Sequence, residues 1–365
     1  MRVLAIEPYY AGSHRAWADG YTAASRHDVT LITHDARFWK WRMHGSAVTI
    51  AEMLRTTDVP SPDVVLVSDM TNVAALRGLA GDVLGDAHVV LYMHENQLVY
   101  PLSPRDEPDF TYGMINWASM VSADEVWFNS RFHLDSVFAA LPRFLGQFPD
   151  HRHVGLIDDV AATSRVMPVG VDLAALPRSH RDDGPPIVLW NHRWEYDKGP
   201  EEFFDACRAV AGMGVPFRLA ACGESFGNDD PVFMQARADL ADHITHWGFV
   251  DDVVEYRRLL TSAAVTVSTA NQEYWGISVT EAIAAGAFPL LPNRLVYPER
   301  VPESCHDAVL YEPGQLAARL AEVLGEVPGV PAELASAVAA SDWQFVARQY
   351  DDRLEELVGD AGVLV

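Results

Sequence analysis

Cysteine is scarce in this chain. Three occur in 365 residues, Cys207, Cys222 and Cys305, too few for a disulfide framework and too scattered for a metal-binding spacing. That usage fits a reduced, cytoplasmic protein. No apolar run reaches the ~18 residues of a membrane-spanning helix. The opening Met1-Arg2-Val3-Leu4-Ala5-Ile6-Glu7 reads as a strand, too short for a signal peptide. Positive charge is also short, with 27 Lys and Arg against 51 Asp and Glu, a net of −24. This speaks against a general nucleic-acid surface and leaves room for a local basic patch. The first strand is not followed by G-x-G-x-x-G, so a dinucleotide site is not expected. His94-Glu95 has Leu98 where a zinc protease helix has its second His. Asp-x-Asp is absent from the chain, so a metal-bridged diphosphate is not indicated and no metal is expected. Nothing in the sequence specifies an oligomeric state.

What is present is enough to fold. Hydrophobic residues make up 49% of a length typical of two α/β domains. Apolar, β-branched runs of strand length recur at 2–7, 28–33, 63–68, 88–93, 125–129 and 165–169, with helical stretches between. A second series follows at 187–190, 217–222, 245–247, 264–268, 287–291 and 309–311. This alternation predicts two doubly wound, Rossmann-like parallel sheets. The expected domains are 1–175 and 186–340, joined by a loop-rich linker from about 171 to 186 that includes Pro177, Arg178, Arg181 and Gly184. Trp343, Phe345, Val346, Tyr350, Leu354 and Leu357 recur at helical spacing. The 341–365 segment is expected to return and pack on the first domain.

The stretch from Glu273 to Glu281 organises the second half. Two carboxylates stand eight positions apart, the first in a loop after a strand, the second on a helix that opens near Gly276. Amides of Gly276, Ile277 and Ser278 at that helix start suit a phosphate. Acids are favoured at helix starts in any protein, but carboxylates flanking a phosphate site are also suited to sugar hydroxyls on either side of a diphosphate. The 187–190 strand runs into Arg193 and Lys198, two cations before a helix opened by Pro200. Arg grips two phosphate oxygens and Lys supplies a point charge. Gly223 with Glu224, and Gly248, mark two further strand-to-helix turns that let backbone approach a base or phosphate, or are simply turns.

The first half offers Gly12 and Ser13 at its first turn, with a helix from about Arg15. His94, Glu95, Asn96 and Gln97 follow a strand end, where such sheets bind ligands. Trp39, Trp41 and Arg42 around Lys40 are expected in a loop, as a packed aromatic pair or an acceptor platform. Arg143, His151, Arg152 and His153 form a local basic cluster.

Taken together, Arg-x4-Lys after the first strand of the second half, Glu-x7-Glu, and two doubly wound halves resemble the retaining GT-B glycosyltransferases of family 4. More narrowly, the chain is similar to the tRNA-queuosine mannosyltransferase group. That likeness rests on Gly12-Ser13-His14, Trp39-x-Trp41-Arg42, His94-Glu95-Asn96-Gln97, Pro149-Asp150-His151-Arg152, His192-Arg193-Trp194-Glu195-x-Asp197-Lys198 and Leu295-Val296-Tyr297-Pro298-Glu299. The resemblance implies an active site in the cleft between the two domains, a GDP-mannose donor, a tRNA acceptor and a retained anomeric configuration, with no metal or other cofactor. It further implies that Arg193 and Lys198 hold the diphosphate, Glu281 the ribose, and Glu273 and His94 the transferred sugar. A relative acting on a small-molecule or glycan acceptor remains the alternative.

Overall fold

The computed structural model describes residues 1–101, 109–176, 181–225 and 230–361; Pro177 and Arg178 of the expected linker lie outside these residues. The chain forms two compact units, one of Met1–Val171 with Trp343–Val365, the other of Asp172–Asp342.

The first unit is built on β1 (Arg2–Tyr10), β2 (Asp28–Asp35), β3 (Val64–Ser68), β4 (His88–Met93), β5 (Glu125–Phe128) and β6 (Ser164–Val166), in the order β2-β1-β3-β4-β5-β6. Every pairing is parallel. Helices on both faces leave central strands no solvent side, so they are apolar without alternation. All five residues of β3 are buried. The order reverses between β1 and β3, which places their following loops where ligands bind in such sheets.

The second unit repeats the plan with β7 (Ile187–Asn191), β8 (Arg218–Cys222), β9 (Ile244–Gly248), β10 (Val265–Val267), β11 (Phe288–Pro292) and β12 (Leu310–Tyr311). Their order is β12-β11-β10-β7-β8-β9, again parallel, with the reversal between β7 and β10. Its core is aromatic: Trp190 stacks on Phe203, and Phe204 and Phe233 pack around the same indole. The three cysteines are buried and unpaired. Among the described residues no helix is long and apolar enough to cross a membrane.

Two local expectations are corrected. The Trp39–Arg42 stretch is not a loop; it forms the first turn of a helix, Trp39–Thr56, entered through Phe38 at φ 53°. The first helix starts at Gly12, earlier than Arg15.

The C-terminal helix, Trp343–Ala361, belongs to the first unit. It docks Trp343 into a slot between two glycines. A Cβ added at Gly20 or Gly170 would lie 2.0 or 2.2 Å from indole atoms. Tyr350 donates to the Pro168 carbonyl at 2.7 Å, and the Arg353 guanidinium clamps the buried Glu125 carboxylate at 2.6 Å.

Candidate active site

In the second unit, the loops after β7 and β10 meet at the strand reversal. Lys198 ends a short 3-10 turn and is buried. Its ammonium donates to the Gln272 carbonyl at 2.7 Å and lies 3.3 Å from Asp197 and 3.5 Å from Glu273. Burial alone would depress the lysine, but the Glu273 and Asp197 carboxylates outweigh it and hold Lys198 above its usual value. Burial would raise Glu273, yet Lys198 and the amides of Trp275 and Gly276 hold it below the usual carboxylate range. The result is a buried ammonium facing two carboxylates.

Glu273 also shapes the helix start. Its Oε1 accepts from the amides of Trp275 at 3.3 Å and Gly276 at 3.0 Å. This corrects one expectation: the Gly276 amide is not free for a phosphate, because Glu273 occupies it. Gly276, at φ 86°, caps a helix that runs Ile277–Ala284. The amides of Ile277 and Ser278 lie in the first turn, where a helix leaves donors without internal partners. Trp275 is covered by Arg300, whose guanidinium carbon lies 3.5 Å from the ring centroid and which also donates to Thr280. That contact fixes the loop against its own helix.

Arg193 differs from Lys198. It is exposed and pairs with Glu195 at 3.3 Å. The two expected cations are thus one buried point charge and one surface guanidinium.

Glu281 lies on the second turn of the same helix and accepts from the Tyr256 hydroxyl at 2.6 Å, while Asn191 donates to that hydroxyl at 2.8 Å. Burial pushes Glu281 above its ordinary range despite the tyrosine bond. The sequence reading did not single out Tyr256 or Asn191 as site residues; nothing in local spacing joins Tyr256 to Glu281. It also gave no role of its own to His192. That side chain is buried, its Nε2 has no hydrogen-bond partner among the described residues, and burial with the Lys198 charge pushes it down to about 4.

Gly223 has no room for a side chain: a Cβ there would sit 1.8 Å from the His192 carbonyl oxygen. Its amide donates to Gly248, and the Glu224 carbonyl accepts from Trp194. These turns serve to lock the 192–198 loop against β8. Gly248, at φ 115°, has open space around its Cα.

In the first unit, three residues converge after β1 and β4. His14 Nδ1 lies 3.0 Å from Glu7 Oε2, and His94 Nε2 lies 3.7 Å from the same oxygen. These three ligand atoms all lie within 4.8 Å of one another, a grouping that no spacing in the sequence announced. Burial opposes charge on His14, but Glu7 holds it up at about 9. Burial and the His14 charge push His94 well below its ordinary value, and burial pushes Asp69 up to about 8. Asp69 accepts from the His94 amide at 3.0 Å.

The other first-half candidates separate by burial. Gly12 and Ser13 are exposed at the start of their helix. Glu95 accepts from the Gln97 side chain at 3.1 Å, and both are half-buried. Asn96 is fully buried and accepts from the amides of Leu98 and Val99, so it closes a turn rather than meeting an acceptor. Arg42 is likewise buried, donating to the Asp35 carbonyl at 3.1 Å, and is not a surface cation. Trp39 packs on Tyr112, whereas Trp41 and its neighbour Phe38 are 62% and 78% exposed. His151 and Arg152 are exposed; His151 pairs with Asp150 at 3.4 Å, and Arg152 donates to the Phe148 carbonyl at 3.0 Å.

Two parallel α/β sheets, the second with a buried Lys–Glu pair at a helix start, fit a glycosyltransferase of the GT-B class. Residues 2–171 match the family model described as tRNA-queuosine alpha-mannosyltransferase N-terminal, and residues 174–327 match that of glycosyl transferases group 1. The tRNA-queuosine alpha-mannosyltransferase of Drosophila melanogaster is 29% identical over 312 residues, 82% of each chain. Among solved structures, the sucrose-phosphate synthase of Thermosynechococcus elongatus superposes with a TM-score of 0.73 at 16% identity, over 99% of this chain and 100% of that one. A lipopolysaccharide outer core galactosyltransferase gives 0.61 at 11% identity, over 98% and 99%. These two likenesses show the fold. Both halves are thus matched in order, the first by that N-terminal model and the second by the group 1 model, which supports a GT-B glycosyltransferase similar to the tRNA-queuosine alpha-mannosyltransferases.

Proposed function

We propose that this protein transfers mannose from GDP-mannose to the queuosine of a tRNA, with retention at the anomeric carbon, in the cytoplasm. The observation that carries the reading is the match of residues 2–171 to the N-terminal model of the queuosine mannosyltransferases, joined to the Lys198–Glu273 site of the second unit. In this reading Lys198, Arg193 and the amides of Ile277 and Ser278 take the donor diphosphate. Glu281, held by Tyr256, takes the ribose hydroxyls. Glu273 and His94 contact the transferred sugar.

The chemistry follows from charge. As the bond from the anomeric carbon to the phosphate oxygen breaks, its electron pair stays on the diphosphate. Fixed cations and amides stabilise that charge without reorganising. An acceptor hydroxyl attacks the same face, and its proton passes to the departing phosphate oxygen. No carboxylate nucleophile is required, in keeping with a Glu273 that pairs with Lys198 and accepts from the Trp275 and Gly276 amides.

The test is a panel of nucleotide-sugars against tRNA with and without queuosine, read by mass spectrometry of the digested nucleosides. A hexose added only from GDP-mannose, and only to queuosine-containing tRNA, is the expected result. Transfer to a small molecule or glycan, with none to that tRNA, would replace the acceptor while leaving the enzyme class standing.

A further inference from the structure

We propose that Glu7, His14 and His94 form a binding site for one divalent transition-metal ion of the zinc type. Glu7 lies in the buried part of β1, His14 in the first turn of the helix that follows, and His94 is the first residue after β4. Glu7 and His14 are seven positions apart, and the sheet brings the distant His94 to them from the end of β4.

Ligand geometry is the first argument. A zinc ion about 2.0–2.1 Å from each of two imidazole nitrogens and a carboxylate oxygen, in a tetrahedral arrangement, spaces those atoms at about 3.3–3.5 Å. The observed separations from Glu7 Oε2 are 3.0 Å to His14 Nδ1 and 3.7 Å to His94 Nε2, on either side of that spacing. The remaining pair lies within 4.8 Å, so a small closure of the two rings completes the set.

The second argument is an unmet bond. His94 Nε2 is buried with no hydrogen-bond partner among the described residues, on a side chain only 8% exposed, and it faces the carboxylate. Glu7 Oε2 serves His14 and leaves His94 beyond hydrogen-bond reach. A stranded buried polar atom is costly, and a cation between the three satisfies both rings and the carboxylate together. Tyr9, Trp17 and Tyr92 pack their rings around the histidines and keep the surroundings dry, as outer shells of metal sites do. Asp69 fixes the His94 backbone from the next strand end.

The donor set chooses the metal. Two imidazoles and one carboxylate suit zinc and its neighbours, whereas magnesium and calcium want an all-oxygen shell. Three protein ligands leave a fourth position for a water.

The experiment needs neither donor nor acceptor, so its failure and that of the transferase reading are separable. The full chain is stripped with a chelator, checked for folding by circular dichroism, and titrated with zinc, cobalt(II) or magnesium, followed by desalting and metal analysis. One zinc retained per chain, a cobalt spectrum of tetrahedral intensity, and no retained magnesium are expected. Glu7→Gln and His14→Gln should each lose zinc retention at least tenfold while remaining folded, and His151→Gln, an exposed histidine outside the cluster, should retain it. If folded wild-type protein keeps no zinc, the proposal is overturned. It is equally overturned if folded Glu7→Gln and His14→Gln retain zinc as wild type does, because the metal then lies elsewhere.

Discussion

Two cations given one role by sequence are physically different residues. Lys198 is buried against Asp197 and Glu273, and Arg193 is exposed. Lys198→Ala should therefore lose turnover by about 10²–10³, the scale for removing one preorganised charge stabiliser. It should also lose about 3–5 kcal/mol of stability, because two carboxylates remain without their counter-ion. Arg193→Ala should lose turnover with a stability change within about 0.5 kcal/mol, as for other surface changes. Equal melting of both variants, or wild-type kinetics in either, would remove the assignment. His192 gives a second prediction at this scale. Folded, it is held down to about 4; unfolded, it returns to 6.5. Between these values the unfolded chain binds the extra proton, so stability is complete above pH 6.5 and falls as the pH drops toward 4. The cost approaches about 3 kcal/mol, at ~1.4 kcal/mol per unit. In denaturant titrations across this window, His192→Gln should shed one proton's worth of the slope. An unchanged slope would mean that His192 is protonated in the folded protein.

At the scale of elements, the turns are graded by what surrounds them. Gly223→Ala puts a Cβ into the His192 carbonyl, and Gly12→Ala meets nothing within 4 Å. The first should cost about 1–3 kcal/mol or more through forced backbone movement, and it should lower turnover by displacing the 192–198 loop. The second carries only the left-handed backbone at φ 50°, about 1–2 kcal/mol. Melting curves that reverse this ranking would contradict the packing described. The same elements show what sequence can convey. Strand-then-helix alternation follows from burial on both sheet faces, so the parallel, doubly wound halves were legible. The Trp39–Thr56 helix start was not, because its entry residue is Phe38 in a left-handed conformation and no Ser, Thr, Asp or Asn announces a cap. Arg42 consequently read as a surface cation, whereas helical spacing turns it inward with Ser46 and Ile50. The Glu7–His14–His94 group and the Tyr256–Glu281 bond were illegible for another reason. His94 reaches Glu7 and His14 only because the sheet brings the end of β4 near the end of β1, and Tyr256 meets Glu281 only because two separate helices, Val253–Ser262 and Ile277–Ala284, pack together.

On the scale of the whole molecule, an excess of 24 negative charges must coexist with a proposed polyanionic acceptor. Binding a nucleic acid needs cations that release its counterions, so the contacts must be few and concentrated. Burial selects among the candidates. Arg42 is removed by its Asp35 bond, while Lys40, Arg143 and Arg152 are exposed; the Lys40 ammonium lies over the Trp39 ring, and Phe38 and Trp41 are exposed nearby in sequence. Aromatic faces beside a cation are what single-stranded RNA readers use to stack an unpaired base. Lys40→Glu and Arg152→Glu should each weaken tRNA binding and lower the slope of log affinity against log salt by about 0.7–0.9, one phosphate contact apiece, with melting unchanged. Arg42→Glu should instead destabilise the first unit, since it buries an unpaired carboxylate beside a carbonyl oxygen. Trp41→Ala should weaken binding by about 1–3 kcal/mol with little change in the salt slope, because stacking is not ionic. These measurements are tRNA affinities over a salt series alongside melting curves. If Lys40→Glu and Arg152→Glu leave the slope at its wild-type value, the basic contacts lie elsewhere on the chain. If wild-type protein shows no salt-dependent affinity for tRNA at all, the acceptor is not a polyanion, and a small-molecule or glycan acceptor takes its place.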